Sequence, residues 1–131
     1  MRESAKREKQ TATGERPTTV LVVEDEDAIR LTMREYFKMR GYNILVASDG
    51  VGAIKQLLDN NVDIIISDYR MDILGGDYWI RFLKEFCGNK KIIITSGFLR
   101  PNFPLTFPVL YKPFDFEELE EMVRPNGGNP V

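Results

Sequence analysis

Four acids stand in a row at Glu24, Asp25, Glu26 and Asp27, directly after an apolar run that begins at Val20. Carboxylates crowded at the end of a strand repel one another, and a divalent cation offsets that repulsion. Their oxygens, with waters, suit the octahedral shell of Mg2+, and Mn2+ accepts similar donors. A further carboxylate, Asp68, follows the run VDIIIS, and Thr95 and Lys112 each close another apolar run. If Asp25 faced Asp68, with Glu24 assisting through water, an arriving phosphoryl group would meet a cation, the Lys112 ammonium and the Thr95 hydroxyl. Asp68 could then attack phosphorus to give an acyl phosphate while Asp25 held the metal. Taken singly, each residue has a simpler use. Glu26 and Asp27 suit the positive end of a helix, threonine favours strands, and most lysines are solvated. Only joint placement gives Asp68 a role, so the elements that set placement decide between the readings.

Those elements are short apolar runs alternating with amphipathic stretches. Strands are expected at Val20 to Glu24, Ile44 to Ala47, Val62 to Ser67, Lys91 to Thr95 and Val109 to Tyr111. The run Val62-Asp63-Ile64-Ile65-Ile66 has little polar alternation, as parallel strands covered on both faces require. Helices are expected over Asp27 to Arg40, with Gly41 as C-terminal cap; Gly50 to Asn60, capped by Ser48 or Asp49; Gly76 to Phe86; and Phe116 to Val123, capped by Asp115. Strands separated by helices imply an open α/β sheet with right-handed crossovers. In such a sheet the residues just past the carboxyl ends of the strands converge on one rim, and Glu24, Asp25, Asp68, Thr95 and Lys112 all fall there.

The 131 residues suit a single domain with an adequate core. Cys87 has no second cysteine to pair with, and the absence of histidine leaves a zinc site almost no ligands. Both facts favour a reducing compartment and a hard cation, and the chain reads as cytoplasmic. No apolar stretch reaches the length of a membrane span, and the net charge of -2 gives no reason to expect a nucleic-acid surface. Neither a GxxxxGK[ST] loop nor a dinucleotide fingerprint is present, since Gly75-Gly76 lacks the required spacing. Residues 1–18 read as a flexible polar leader and 125–131 as a flexible tail or linker.

Taken together, VLVVEDE, ASDGVGAI, IIISDYRM, IIITSG and YKPF resemble, in order and spacing, the receiver domains of two-component response regulators over about residues 19–124. The resemblance implies a flavodoxin-like, doubly wound, five-stranded parallel sheet in the order 2-1-3-4-5 with helices on both faces. It makes Asp68 the acceptor of a phosphoryl group from a histidine kinase or histidine phosphotransfer protein. It makes Asp25 the principal magnesium ligand, with Asp68, the backbone carbonyl of Arg70, and Glu24 through water completing the protein's share. The Arg70 side chain would be placed to modulate the access of water. Thr95 resembles the hydroxyl residue that follows the phosphoryl group, and Lys112 the lysine that pairs with it. Self-phosphorylation from small donors, slow self-dephosphorylation, an unidentified downstream protein and a weak or phosphorylation-dependent dimer are the family's other implications.

The sequence departs from the family pattern in three places. Asp72 stands where proline is usual, and Val109, rather than an aromatic switch residue, lies three positions before Lys112. Only seventeen positions separate Thr95 from Lys112, about one helical turn fewer than the family arrangement. The intervening GFLRPNFPLTFP contains three prolines, so the helix between the fourth and fifth strands is expected to be shortened, distorted or replaced by a loop. Phe98, Phe103 and Phe107 would either form an unusual partner surface or, the preferred reading, cover the sheet where that helix would have packed.

Two other functions fit parts of the pattern. A receiver-like module that binds partners without being phosphorylated would account for the altered connection. A Mg2+-dependent phosphatase for small molecules would share the acids, but Asp68-Tyr69-Arg70 lacks the paired-acid nucleophile of haloacid-dehalogenase-like enzymes.

Overall fold

The computed structural model describes residues 16–71, 73–97 and 106–124. The chain runs β1 (Thr19–Val23), α1 (Asp27–Met39), β2 (Asn43–Ala47), α2 (Gly50–Asp59), β3 (Ile64–Asp68), α3 (Gly76–Phe86), β4 (Lys91–Ser96), β5 (Val109–Tyr111) and α4 (Phe116–Val123). All strand pairs are parallel, in the order β2-β1-β3-β4-β5. This is the expected doubly wound sheet, and its strand order reverses beside β1, where such sheets open a crevice.

The two-residue period of each strand sorts side chains onto opposite faces. Val20, Val22, Ile64, Ile66 and Ile93 meet Met33 and Phe37 of α1 and Leu119, Met122 and Val123 of α4. Leu21, Val23, Ile65, Ile92 and Ile94 meet Ala53 of α2 and Trp79, Ile80 and Leu83 of α3. Burial of each large apolar side chain contributes about 1.5–3 kcal/mol, which is why the central strands carry almost nothing else.

Helix ends follow local chemistry. The Gly41 N–H donates to the Lys38 carbonyl at 3.1 Å, and the glycine sits at φ +92°, where a side chain would be strained. Asp49, rather than Ser48, caps α2 by accepting from the Gly52 N–H at 2.8 Å. At α4 the Glu118 carboxylate accepts from the Asp115 N–H at 3.0 Å. Helices α1 and α4 are tied through buried Glu120, which accepts from the Tyr36 hydroxyl at 2.9 Å and pairs with Arg40 at 3.2 Å.

Some details differ from expectation. Strand β3 starts two residues later, at Ile64; just before it the Asp63 side chain accepts from the Thr19 N–H at 2.8 Å and the Val62 carbonyl accepts from the Lys90 ammonium at 2.8 Å. Strand β1 starts at Thr19 and ends at Val23, leaving Glu24 just beyond it. Arg16 and Thr18, at the end of the leader, contact the sheet: Arg16 reaches Asp63 at 3.3 Å and the Thr18 carbonyl accepts from Asn43 at 2.9 Å.

The described residues contain four helices, and Gly97 and Thr106 to Pro108, which flank the β4–β5 connection, are not helical. Phe107 packs with Val109 against the α2/α3 face of the core, as expected for a residue covering the sheet. Phe98, Phe103 and Asp72 lie outside the described residues. No helix among the described residues is long and apolar enough to cross a membrane.

Candidate functional site

Parallel register brings the strand ends together. Val23 lies beside Ser67, Asp68 beside Thr95, and Ser96 beside Tyr111. The residues at or just past these positions are Glu24, Asp25, Asp68, Thr95 and Lys112. Glu24, Asp25 and Asp68 each offer a carboxylate oxygen within 4.8 Å of the others. Asp25 is exposed, whereas Glu24 and Asp68 are only 2% and 7% exposed. Three hard oxygen donors this close together form a cluster able to hold a divalent cation.

Lys112 lies at the centre. Its Nζ donates to Glu24 Oε1 and Asp68 Oδ2, both at 3.2 Å, and its backbone N–H, donating to the Ser96 carbonyl at 2.8 Å, fixes where the stem leaves β5. The following Lys112-Pro113 peptide is cis. The second Glu24 oxygen accepts from the Glu26 N–H at 3.2 Å. The sequence offered Glu24 to a metal through water; the structure also pairs this carboxylate with Lys112. Three acids and one ammonium leave the rim with a formal charge of -2, the charge that one divalent cation would cancel.

The titration behaviour follows from this crowding. Burial pushes the Asp68 carboxyl above the ordinary aspartate range; Lys112 pulls it down and Asp25 pushes it up further. Burial, then the Asp68 charge, raises Glu24. Burial alone would lower Lys112, but Asp68 and Glu24 together outweigh it and raise its value.

The other expected residues are placed as follows. Thr95 is buried at the end of β4 beside Asp68, and its carbonyl accepts from the Tyr69 N–H at 2.8 Å. Arg70 is exposed just after β3, and its backbone N–H donates to the Asp68 carboxylate. Asp27 lies in the first turn of α1 and pairs with Arg30 at 2.7 Å, a helix-start use; the same guanidinium donates to the Glu24 carbonyl at 3.0 Å. Val109 is half-buried in the core and Tyr111 is exposed at the strand edge.

Sequence reasoning missed the support behind Asp68. Ser67 Oγ donates to the Asp68 carbonyl at 2.9 Å and accepts from Trp79 Nε1 at 2.8 Å. It also missed the loop from Tyr69 to Gly76. There Leu74 adopts φ +51° and Gly76 φ +66°, a Cβ on Gly75 would lie 2.6 Å from the Met71 nitrogen, and the Gly76 N–H donates to the Tyr69 carbonyl at 2.7 Å. The adjacent Gly75-Gly76 pair was the available signal.

A doubly wound parallel sheet with an acid cluster, a buried hydroxyl residue and a lysine on its carboxyl rim can hold a divalent cation and a phosphoryl group side by side. The family model for the response regulator receiver domain matches residues 20–124, and the chain belongs to that family. Among curated relatives, the sensor kinase CckA of Brucella abortus is 34% identical over 114 residues, covering 81% of this chain and 12% of the kinase. The solved receiver domain of the hybrid histidine kinase CckA is 31% identical, covers 80% of this chain and 94% of its own, and superimposes with a TM-score of 0.69. The signal receiver domain of an HD domain-containing protein from Pseudomonas fluorescens shares the fold at 20% identity, with a TM-score of 0.74 over 83% of this chain and 93% of that one. The chain thus spans only a small part of the kinase it matches.

Proposed function

We propose that this receiver takes a phosphoryl group on Asp68 from a histidine kinase or histidine phosphotransfer protein and passes the change to a downstream protein. The observation that carries this reading is the placement of the Asp68 carboxylate on the rim, 3.2 Å from the Lys112 ammonium and within reach of two further acids. An Asp68 oxygen attacks phosphorus, the bond from phosphorus to the donor's imidazole nitrogen breaks, and the imidazole departs with the electron pair and takes up a proton. Lys112 exchanges its contact with the Asp68 carboxylate for one with a phosphoryl oxygen. Thr95, beside Asp68 in the register, donates its hydroxyl to another.

The cation this site would take is Mg2+, with Mn2+ as a substitute; hard oxygen donors and a site charge of -2 support a hard divalent ion. Asp25, Asp68 and the Arg70 carbonyl would hold it, and Glu24 through water. The cation supplies charge neutralisation for the phosphoryl oxygens. Thr95 and the β4–β5 connection would carry the change outward, biasing two existing conformations. The names of the kinase relatives support a kinase partner, and the cytoplasm is the compartment such a partner requires.

Incubating the full chain with Mg2+ and phosphoramidate, followed by rapid acidic quenching and intact-mass analysis, should show one added phosphoryl group, absent in Asp68→Asn. An unmodified wild-type chain would refute the proposal. Partner affinity unchanged by modification would favour a non-phosphorylating interaction role, and rapid multiple-turnover hydrolysis of phosphometabolites a phosphatase.

A further inference from the structure

We infer that Ser67 and Trp79 are positioning residues for the acceptor carboxylate, acting through the peptide unit that joins Asp68 to Tyr69; this rests on the phosphoacceptor reading above. Both polar atoms of that peptide are held. Its carbonyl, that of Asp68, accepts from Ser67 Oγ at 2.9 Å, and its N–H, that of Tyr69, donates to the Thr95 carbonyl at 2.8 Å. A peptide is planar, so fixing both atoms fixes ψ of Asp68 and with it the direction in which the acceptor side chain leaves the strand.

A serine hydroxyl rotates unless something orients it. Here the Trp79 indole N–H occupies the Ser67 oxygen at 2.8 Å and directs the hydroxyl proton toward the Asp68 carbonyl. Neither residue is exposed at all, so no solvent competes for these bonds. Trp79 is itself immobilised by parallel stacking on Phe82, with ring centroids 5.4 Å apart and planes 7° apart. The following residue is held by the same helix. The Tyr69 carbonyl accepts from the Gly76 N–H at 2.7 Å, and its hydroxyl donates to the Asp77 carboxylate. Helix α3 therefore fixes one end of the acceptor peptide and Thr95 the other. Movement of Thr95 toward a phosphoryl group would pull on the peptide and reach the indole through Ser67.

A purely structural role would lower stability without altering the chemistry of the folded protein or linking the indole to the acceptor. The test is single-turnover phosphorylation of the full chain by phosphoramidate at saturating Mg2+, comparing wild type with Ser67→Ala, Trp79→Phe and the double variant. Each single substitution should slow the reaction about tenfold, equivalent to about 1.4 kcal/mol. The double variant should be no slower than either, because both changes break one relay. Trp79 is the sole tryptophan, so the protein gives one indole N–H cross-peak by NMR. Mg2+ with beryllofluoride should move that peak in wild type and leave it in place in Ser67→Ala. Folded variants that react at the wild-type rate, or single effects that add, would overturn the inference. So would a stationary wild-type indole peak, which decides the matter even if a variant fails to fold. Failure of the wild-type chain to accept phosphorus would instead remove the phosphoacceptor reading beneath it.

Discussion

Replacing Asp68 with Asn should raise the stability of the metal-free protein while removing its capacity to be phosphorylated. Glu24 and Asp68 share one ammonium at 3.2 Å each, and Asp25 adds a third anion within 4.8 Å. At an effective dielectric of about 20, Lys112 attracts Asp68 by roughly 5 kcal/mol, and each acid at the 4.8 Å limit repels it by roughly 3.5 kcal/mol. Asp25 is exposed, so solvent reduces its share to about half, and attraction and repulsion nearly cancel. What remains is the cost of burying an ionised group that is only 7% exposed, which asparagine does not carry. The expected gain is about 1–2 kcal/mol, or a rise in Tm of roughly 4–8 °C for each kcal/mol in a small domain. Mg2+ at ten times its dissociation constant should stabilise wild type by about 1.4 kcal/mol, and the variant by less than half as much. Urea denaturation followed by the fluorescence of the fully buried Trp79 measures both quantities. A variant less stable than wild type by about 1 kcal/mol would show Asp68 to be a net-stabilising ion-pair partner, and the reasoning would fail.

Three other expectations follow from the same contacts. Lys112→Ala leaves Glu24 and Asp68 buried without their cation and should cost about 2–4 kcal/mol, at or below the usual range because the lysine is partly exposed; Mg2+ titration during denaturation should recover part of the loss. Because Glu24 and Asp68 have folded-state values above their unfolded ones, they contribute stability that is fully present below the ordinary carboxylate range. It is lost as pH rises through their raised values, so metal-free denaturation midpoints should fall across that window, and less steeply in Asp68→Asn. Gly50→Ala should destabilise by about 2 kcal/mol or more, since its Cβ would lie 2.5 Å from the Leu74 carbonyl oxygen, an overpacked contact that thermal melts would report.

The fold was readable because the chain writes it in periods. Runs such as Ile64-Ile65-Ile66 admit little but a strand covered on both sides, and the stripes of α1 and α3 admit little but helices on such a sheet. The convergence of Glu24, Asp25 and Asp68 was readable for the same reason: each residue ends or follows a strand, and parallel register does the rest. Side-chain pairing was not readable. Glu24 and Lys112 are 88 positions apart, and nothing local says that the buried glutamate takes the lysine. Ser67 looks like one polar residue in a strand and Trp79 like packing; only the distance between them reveals the bond. The left-handed Leu74 carries no signal of its own, since the residue type that favours that conformation is absent there.

The two apolar faces of the sheet share strands but not side chains, and that separation has a consequence for how such a domain can diverge. Phe107 and Val109, beside the abbreviated connection, belong to the half of the interior that holds α2 and α3. Changes there should combine additively with changes beneath α1 and α4, since distant sites with no common neighbours act independently. A lineage could remodel one flank of the domain while the opposite flank, and whatever it recognises, stayed as it was.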